Sequence, residues 1–387
     1  MAQTLARTVA PPRRGERLVG LDVARCLALL GMVATHVLDE RTPAGDLATS
    51  QWLAGGRASA LFAVLAGVSL GLMTRAPLPG RALAWRSAGV AGRAVLIAAL
   101  GLVLGGLDSG LAVILTYYGV LFVLGLPFTL LGVRALLPLT VAWVALAPVV
   151  SHLVRPHLPE RGFESPTFAQ LAEPAQLASE LLLTGYYPAV PWLAYLLAGL
   201  ALSRIDLRDA SLLGALAVGG LGTAVLATQV SRTLVDPAIA SENATGMYGT
   251  TPADGDWSWL LVVAPHSGTP FDLAQTIGSA VLVIACCLLV ERLLPRAATY
   301  VLAVVFGAGT ATLTLYSLHV VMRTPEVWPP DESSTYLSHV VVLLVIGAGL
   351  RLLGRRGPLE TVVGLPVRLA RRAAPRDGLP QRSGTKV

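Results

Sequence analysis

The stretch LDVARCLALLGMVATH, Leu21–His36, is apolar enough to enter a lipid bilayer, yet it contains Asp22, Arg25 and His36. At about 100° per residue of an α-helix, these three ionisable side chains fall within roughly 60° of one another. An Asp or Arg costs about 2.5–3.5 kcal/mol at the centre of a membrane helix and therefore faces a bundle interior or a wet cavity. A local Asp22–Arg25 pair that anchors the helix explains only part of this pattern. The stretch predicts a membrane helix with one polar, functional face.

The composition of the whole chain is that of a polytopic membrane protein. It has 387 residues, of which 54% are hydrophobic and 13% charged, against about 25% charged in soluble domains. The basic residues are not clustered as a nucleic-acid groove requires. Apolar blocks long enough to span a bilayer predict an all-α polytopic integral membrane helical bundle of ten transmembrane helices, or eleven. The blocks are 19–38, 57–74, 88–107, 111–131, 135–154, 187–203, 211–230, 271–293, 299–322 and 335–353.

The distribution of arginine and lysine predicts the orientation. With ten helices and a cytoplasmic N-terminus, most basic residues fall in cytoplasmic segments, as the positive-inside rule requires. We therefore expect a multi-pass protein of the cell membrane with both termini cytoplasmic. The predicted organisation is a disordered basic tail at 1–18, a membrane domain at 19–353, and a basic cytoplasmic tail at 354–387 that is flexible or lies on anionic lipid.

A second polar face is predicted in the ninth helix, where Gly309, Thr312, Tyr316 and His319 are spaced to lie on one side. Helix–helix packing through small and hydroxyl residues explains the first two of these residues but not the histidine. His266 lies just before the predicted eighth helix. It is either a solvated loop residue or part of a site at the mouth of the membrane domain.

The other histidines carry no predicted role. His152 and His157 are expected at the surface and His339 at the membrane interface. No histidines are spaced at i,i+3 or i,i+4 with acidic partners, so no metal site is predicted. The three cysteines lie in apolar blocks, and two are adjacent, so no disulfide framework is expected.

The segment LDVARC…H resembles the R-X10-H signature of membrane-bound acyltransferases, since ten residues separate Arg25 from His36. Other fragments are similar to bacterial relatives of heparan-α-glucosaminide N-acetyltransferase, and the high Ala, Gly, Arg and Leu content with few Lys is typical of a GC-rich bacterial genome. These fragments are GRASALFAVLAGVSLGL (56–72), YYGVLFVLGLP (117–127), YPAVPWLAYLLAGLALSRID (187–206), AGTATLTLYSLHVV (308–321) and GPLETVV (357–363).

This resemblance implies an enzyme that moves an acyl group, most simply acetyl, from cytoplasmic acyl-CoA to an extracytoplasmic sugar, cell-envelope glycan or small-molecule acceptor. The family's arginine corresponds to Arg25, although the glycine that usually follows it is Cys26 here. The candidate donor-binding residues are Asp22, Arg25, Arg75, Arg86 and Arg93. The candidate general bases are His36, His319 and His266, and the candidate oxyanion stabilisers are Tyr316 and Thr312.

Two other functions fit the sequence. Buried charges and histidines also occur in proton-coupled transporters and export permeases, although the sequence contains no inverted repeat and no matched pair of helices interrupted by Gly or Pro. A non-catalytic scaffold or sensor is the other alternative, and it leaves the intramembrane residues unexplained. The expected partners are the lipid bilayer, acyl-CoA and the acceptor, and a homodimer is compatible with the sequence.

Overall fold

The computed structural model describes residues 17–374 except 77, 79, 160, 163–164, 243–249 and 331, so most of the predicted N-terminal tail and residues 375–387 lie outside the described residues. Within the described part of the chain there is no β-strand, which confirms the all-α prediction. The helices are α1 (Val19–Val37), α2 (Thr49–Ala54), α3 (Arg57–Thr74), α4 (Gly80–Gly105), α5 (Leu115–Gly125), α6 (Val133–Val154), α7 (Pro174–Ser179), α8 (Ala189–Leu202), α9 (Ala210–Leu234), α10 (Pro237–Glu242), α11 (Pro270–Leu293), α12 (Arg296–Val305), α13 (Thr312–Met322), α14 (Tyr336–Leu352), α15 (Pro358–Val363) and α16 (Leu365–Ala373).

Among the described residues, seven helices are long and apolar enough to cross a membrane. The number is eight if the bent pair Pro174–Thr184 and α8, which meet at 48°, forms one span. The shorter apolar helices α5, α12 and α13 occupy the predicted fourth and ninth spans. The structure thus confirms a multi-pass membrane architecture, whereas the number ten and the orientation stay predictions.

The peripheral helices direct apolar side chains away from the bundle. Val141 on α6 is 70% exposed and Val218 on α9 is 74% exposed. Water disfavours a continuous apolar surface of this kind, whereas lipid tails match it. In contrast, α1 packs against α3, α11 and α14, and Ala24, Cys26 and Leu29 are fully buried. The helix with the polar face therefore lies at the centre of the bundle.

The start of α1 is fixed by α11. The carboxylate of Glu291, in the last turn of α11, accepts hydrogen bonds from the backbone N–H groups of Val19 (3.0 Å) and Gly20 (2.7 Å). A carboxylate at this position satisfies N–H groups that have no partner within the helix and interacts favourably with its dipole. A Cβ atom at Gly20 would lie 2.7 Å from the carbonyl oxygen of Cys287, so the two helices approach too closely for any larger residue. These contacts set the depth of Asp22 and Arg25 in the bundle.

The predicted ninth helix, 299–322, is not continuous. It is divided into α12 and α13 by a short 3-10 turn, Gly307–Thr310. A Cβ at Gly307 would overlap the backbone of α14, and a Cβ at Gly309 would overlap the carbonyl oxygen of Asp22. The glycines allow the turn to contact both helices. Contrary to the prediction, Gly309 therefore does not share a helical face with Tyr316 and His319. The interruption was not predicted, and it is a single break rather than a matched pair.

Two further boundaries differ from the prediction. The predicted fourth span, 111–131, becomes helical only at Leu115, and residues 109–114 are non-helical. The predicted flexible tail is helical from 358 to 373 in α15 and α16, and α16 packs on α4 because Gly89 and Gly92 admit the side chains of Ala370 and Pro366. This part of the tail belongs to the folded domain.

Candidate functional site

A cavity of about 210 Å³, which we call the inner cavity, lies at the N-terminal end of α1. Ionisable side chains from α1, α4 and α15 line it, and aromatic and aliphatic residues of α3, α5 and α13 complete the wall. The charged residues of the wall are Arg17, Arg25, Arg93 and Glu360. On the predicted orientation, this cavity is on the cytoplasmic side.

The Asp22–Arg25 pair of α1 is part of a larger network beside this cavity, which Arg25 lines and Asp22 does not. Asp22 accepts hydrogen bonds from Arg25 at 2.7 Å and from Arg17 at 2.5 and 3.1 Å. Arg25 also donates to the hydroxyl of Ser69 on α3 at 3.0 Å. The side chain of Asp22 is 7% exposed and that of Arg25 is 21% exposed. One carboxylate therefore interacts with two guanidinium groups, which leaves a net positive charge at the wall of the cavity.

Glu360 connects α15 to the interrupted helix. Its carboxylate accepts hydrogen bonds from the backbone N–H groups of Leu313 (2.7 Å) and Thr314 (3.2 Å), and from the hydroxyl of Thr314 (2.5 Å). Glu360 thus provides, from a distant part of the chain, the N-terminal cap that α13 needs after the break. Arg93 lies nearby and interacts electrostatically with Glu360 and Arg25. Among the described residues, Arg93 has no hydrogen-bonding partner, so its donors remain available to a ligand.

A second cavity, of about 410 Å³, lies at the C-terminal end of α1, and we call it the outer cavity. His36 and His266 both line it. The other polar and aromatic groups of its wall are Thr35, Glu40, Gln51, Tyr186, Tyr187 and Arg323. Residues of α1 thus contribute to both cavities, with Arg25 and His36 about 16 Å apart at 1.5 Å per residue.

His36 is hydrogen-bonded to a histidine of another helix. Its Nδ1 lies 3.1 Å from Nε2 of His319 on α13, and the planes of the two rings are parallel. His319 Nδ1 lies 3.2 Å from Nδ1 of His339 on α14. His319 and His339 are 0% and 1% exposed. The prediction that His339 is interfacial was therefore wrong, because α14 turns this residue toward α13. His319 lines neither cavity, and it therefore lies behind His36 rather than beside a substrate.

His266 is a packed residue rather than a solvated loop histidine. Its ring is parallel to that of Trp192 and perpendicular to that of Tyr187. Its backbone has φ +59°, a left-handed conformation that is uncommon for residues other than glycine and that frequently marks a functional site. Burial lowers the pKa of His266 to about 4, so the ring is neutral at pH 7. A neutral imidazole at the cavity wall can accept a proton.

The two cavities share no lining residue, so a partition separates them. Tyr316 of α13 lies at the partition between them. It lines the inner cavity, and its hydroxyl accepts a hydrogen bond at 3.4 Å from the N–H of Ile114. Ile114 lies between the cavities along the chain, since Leu111 lines the outer cavity and Leu115 lines the inner one. Within the described residues, the hydroxyl hydrogen of Tyr316 has no acceptor.

The other predicted donor-binding residues do not reach the inner cavity. Arg75 instead lies near Arg204. Burial lowers the pKa of Arg204, and the positive charge of Arg75 lowers it further. Arg86 donates to the carbonyl of Ala76. His152, predicted at the surface, is 1% exposed and packs against a tryptophan, whereas His157 is exposed as predicted.

Sequence reasoning missed four residues of these sites: Arg17, Ser69, His339 and Glu360. Arg17 and Glu360 fall in or beside segments that were interpreted as tails. The fragment GPLETVV, which the resemblance already included, was the one signal that pointed to Glu360. No pattern in the sequence indicates that His339 faces inward.

The fold and the two cavities define a multi-pass helical membrane protein with ionisable side chains at both ends of one buried helix. The family model described as heparan-alpha-glucosaminide N-acetyltransferase, catalytic, matches residues 17–222, more than half of the chain. The chain belongs to this family of membrane acetyltransferases, which confirms the resemblance. No curated protein matches the chain. The matched region includes Arg25, His36 and Arg93 but ends within α9, before His266 and Tyr316.

Proposed function

We propose that this protein transfers an acyl group, most simply acetyl, from acyl-CoA in the inner cavity to an amine or hydroxyl group of an acceptor in the outer cavity. The observation that carries the proposal is the pair of cavities at opposite ends of α1, one bordered by arginines and the other by imidazoles. The predicted orientation places the donor on the cytoplasmic side and the acceptor on the extracytoplasmic side of the cell membrane.

The arginines of the inner cavity suit an anionic donor. Guanidinium groups bind phosphate in a bidentate manner, and Arg93 has free donors for this purpose. At about 210 Å³ the cavity is smaller than the roughly 300–1,000 Å³ typical of sites for drug-sized ligands. It therefore accommodates the slender thioester arm, with the adjoining phosphates within reach of Arg93 and the rest of the nucleotide at the mouth near Arg17.

His36 is the base in this proposal. Its Nδ1 is engaged by His319, whereas Nε2 makes no hydrogen bond within the described residues. As the acceptor attacks the thioester carbon, Nε2 takes the N–H or O–H proton, the new C–N or C–O bond forms, and the C–S bond breaks to release the thiolate of coenzyme A. The free hydroxyl hydrogen of Tyr316 is available to the developing oxyanion. His266 is the alternative base.

The outer cavity suits a sugar acceptor. Tyr186 and Tyr187 offer aromatic surface, and Glu40 and Gln51 offer hydrogen-bonding groups. The family description names a glucosaminide, so the amine of a glucosamine is the first acceptor to test.

The test is acetyl transfer by the purified protein in liposomes, with acetyl-CoA and glucosamine-containing acceptors. We expect His36→Ala to reduce kcat by about 10²–10⁴-fold, the usual contribution of a general base. His157→Ala is the matched control, since this histidine is exposed. Full activity of His36→Ala with loss of activity in His266→Ala would assign the base to His266. If both variants keep full activity, histidine catalysis is refuted.

A proton-coupled transporter or export permease is the second candidate. Separate cavities on the two sides and the interruption between α12 and α13 are features of carriers that alternate their access. Counterflow of the acceptor into liposomes, measured without any acyl donor, separates the two functions. Counterflow in wild type that persists in His36→Ala would favour transport and refute acyl transfer as the activity of these cavities.

A further inference from the structure

Three imidazoles from three different helices form a continuous hydrogen-bonded chain that ends at the outer cavity. The contacts are His36 Nδ1 to His319 Nε2, at 3.1 Å, and His319 Nδ1 to His339 Nδ1, at 3.2 Å. The two inner members are fully buried, while His36 lines the cavity. Burying three polar rings is costly unless each nitrogen that is removed from water has a partner, and this chain supplies those partners.

The chain restricts the tautomers of its members. A neutral imidazole carries one N–H and one lone pair, so each contact needs a donor on one ring and an acceptor on the other. If His36 donates from Nδ1, His319 must carry its hydrogen on Nδ1 and donate to His339, which then carries its hydrogen on Nε2. Only in this direction is His36 Nε2 a lone pair facing the cavity. In the opposite direction all three hydrogens are reversed, and Nε2 of His36 is an N–H that cannot act as a base.

We propose that His319 and His339 are positioning residues that hold His36 in its basic tautomer and relay the proton that His36 takes from the acceptor. This inference rests on the proposed function of His36. When Nε2 accepts a proton, the Nδ1 proton of His36 passes to His319 Nε2, and the Nδ1 proton of His319 passes to His339 Nδ1. His339 then holds the added proton as an imidazolium. The proton returns along the chain when His36 Nε2 protonates the thiolate of coenzyme A. The electron pairs stay on the nitrogens, and the chain regains its starting direction.

Other charged groups also influence the chain. Arg323, which follows α13, interacts electrostatically with all three rings, and His266 interacts with His36. Glu40 also lines the outer cavity. A fixed positive charge at Arg323 opposes the storage of a second positive charge on the imidazoles, which favours passing the proton on.

The relay can be distinguished from a purely structural role, in which the histidines only connect α1, α13 and α14, by the following results expected for the relay. We expect His339→Ala to lower kcat at least about tenfold, a part of the 10²–10⁴-fold contribution of the base itself, with little change in the KM for acetyl-CoA. Added imidazole should restore part of the rate, and the pH profile should shift. His339→Asn keeps an acceptor for His319 Nδ1 but cannot relay a proton, so it should retain stability and show the same loss of kcat. His157→Ala is the control.

A readout that does not depend on catalysis is the ¹⁵N NMR signal of His36, since imidazole nitrogen shifts report which nitrogen carries hydrogen. The proposal expects hydrogen on Nδ1 in wild type and a mixture of tautomers in His339→Ala. A wild-type rate and pH profile in both His339 variants, with His36→Ala inactive, would overturn the relay and leave the proposed function intact. Loss of rate that parallels loss of thermal stability, with no effect of imidazole and an unchanged His36 spectrum, would also overturn it. An active His36→Ala would instead refute the base assignment.

Discussion

Arg93 offers the sharpest test of the donor site, because it lines the inner cavity without a hydrogen-bonding partner among the described residues. Replacing Arg25 is a less direct experiment, since it would also disrupt Asp22 and Ser69, to which Arg25 is bonded. We therefore choose Arg93→Met, which keeps an apolar stem of similar length and removes only the guanidinium. Since no hydrogen bond among the described residues is lost, the variant should fold like wild type.

The expected magnitude follows from the interaction that is removed. A hydrogen bond to a charged group contributes about 1.5–3 kcal/mol, and 1.4 kcal/mol corresponds to a tenfold change in affinity. Arg93→Met should therefore weaken acetyl-CoA binding by about ten- to hundredfold. Isothermal titration calorimetry of the protein in nanodiscs would measure this change. The affinity of the wild type should also fall more steeply with salt than that of the variant, because screening weakens the guanidinium contact.

Arg75→Met is the matched control, because Arg75 is on the same predicted side of the membrane but outside the inner cavity. Its affinity for acetyl-CoA should equal that of wild type. Unchanged binding by Arg93→Met, together with weaker binding by Arg75→Met, would show that the donor binds elsewhere. The proposed use of the inner cavity would then be refuted.

Three further predictions concern the structure around the two cavities. Glu360→Gln should lower the stability of the protein by about 0.5–2 kcal/mol, because it weakens the cap of α13, and thermal unfolding in detergent would reveal this as a lower Tm. Gly309→Ala should give aggregated protein on size-exclusion chromatography, because its Cβ overlaps the backbone of α1, whereas Gly349→Ala, which has open space, should remain monodisperse. Since burial lowers the pKa of His266 to about 4, the unfolded chain binds a proton first as the pH falls below about 6.5, and stability should decline between pH 6.5 and 4. This decline should be smaller in His266→Gln, and an equal decline in both proteins would contradict the assignment.

The polar face of α1 was predictable because the cost of burying charge is a property of the sequence itself. Asp22 and Arg25 had to face a partner or a cavity, and they do so in the structure. For Arg75 and Arg86 the sequence offered only the positive-inside rule. That rule cannot show whether an arginine lines a site, since an arginine that orients a helix need not do so. The same cost argument gave His36 its position at the outer cavity.

The remaining features depend on contacts between distant segments, which periodicity does not reveal. Glycine is common in membrane helices, so Gly309 does not indicate a break in the sequence. Its role is visible only in the structure, where it lies against the carbonyl of Asp22. Glu360 became part of the inner cavity only because α15 folds back to the start of α13. The inward position of His339 is set by the rotation of α14, and a helix that is apolar on nearly all sides carries no sequence signal for its rotation.

The separation of the two cavities requires movement if the acyl group is to pass between them. The partition includes the non-helical residues 111–114, and side chains rather than a helix bond their backbone groups. Ser165 bonds the carbonyl of Leu111 and the N–H of Val113, Tyr187 bonds the carbonyl of Ala112, and Tyr316 bonds the N–H of Ile114. Irregular backbone at membrane depth is tolerated where protein or a water-filled cavity surrounds it. These bonds can therefore be exchanged without unwinding a transmembrane helix, which makes this segment the first place to look for such a movement.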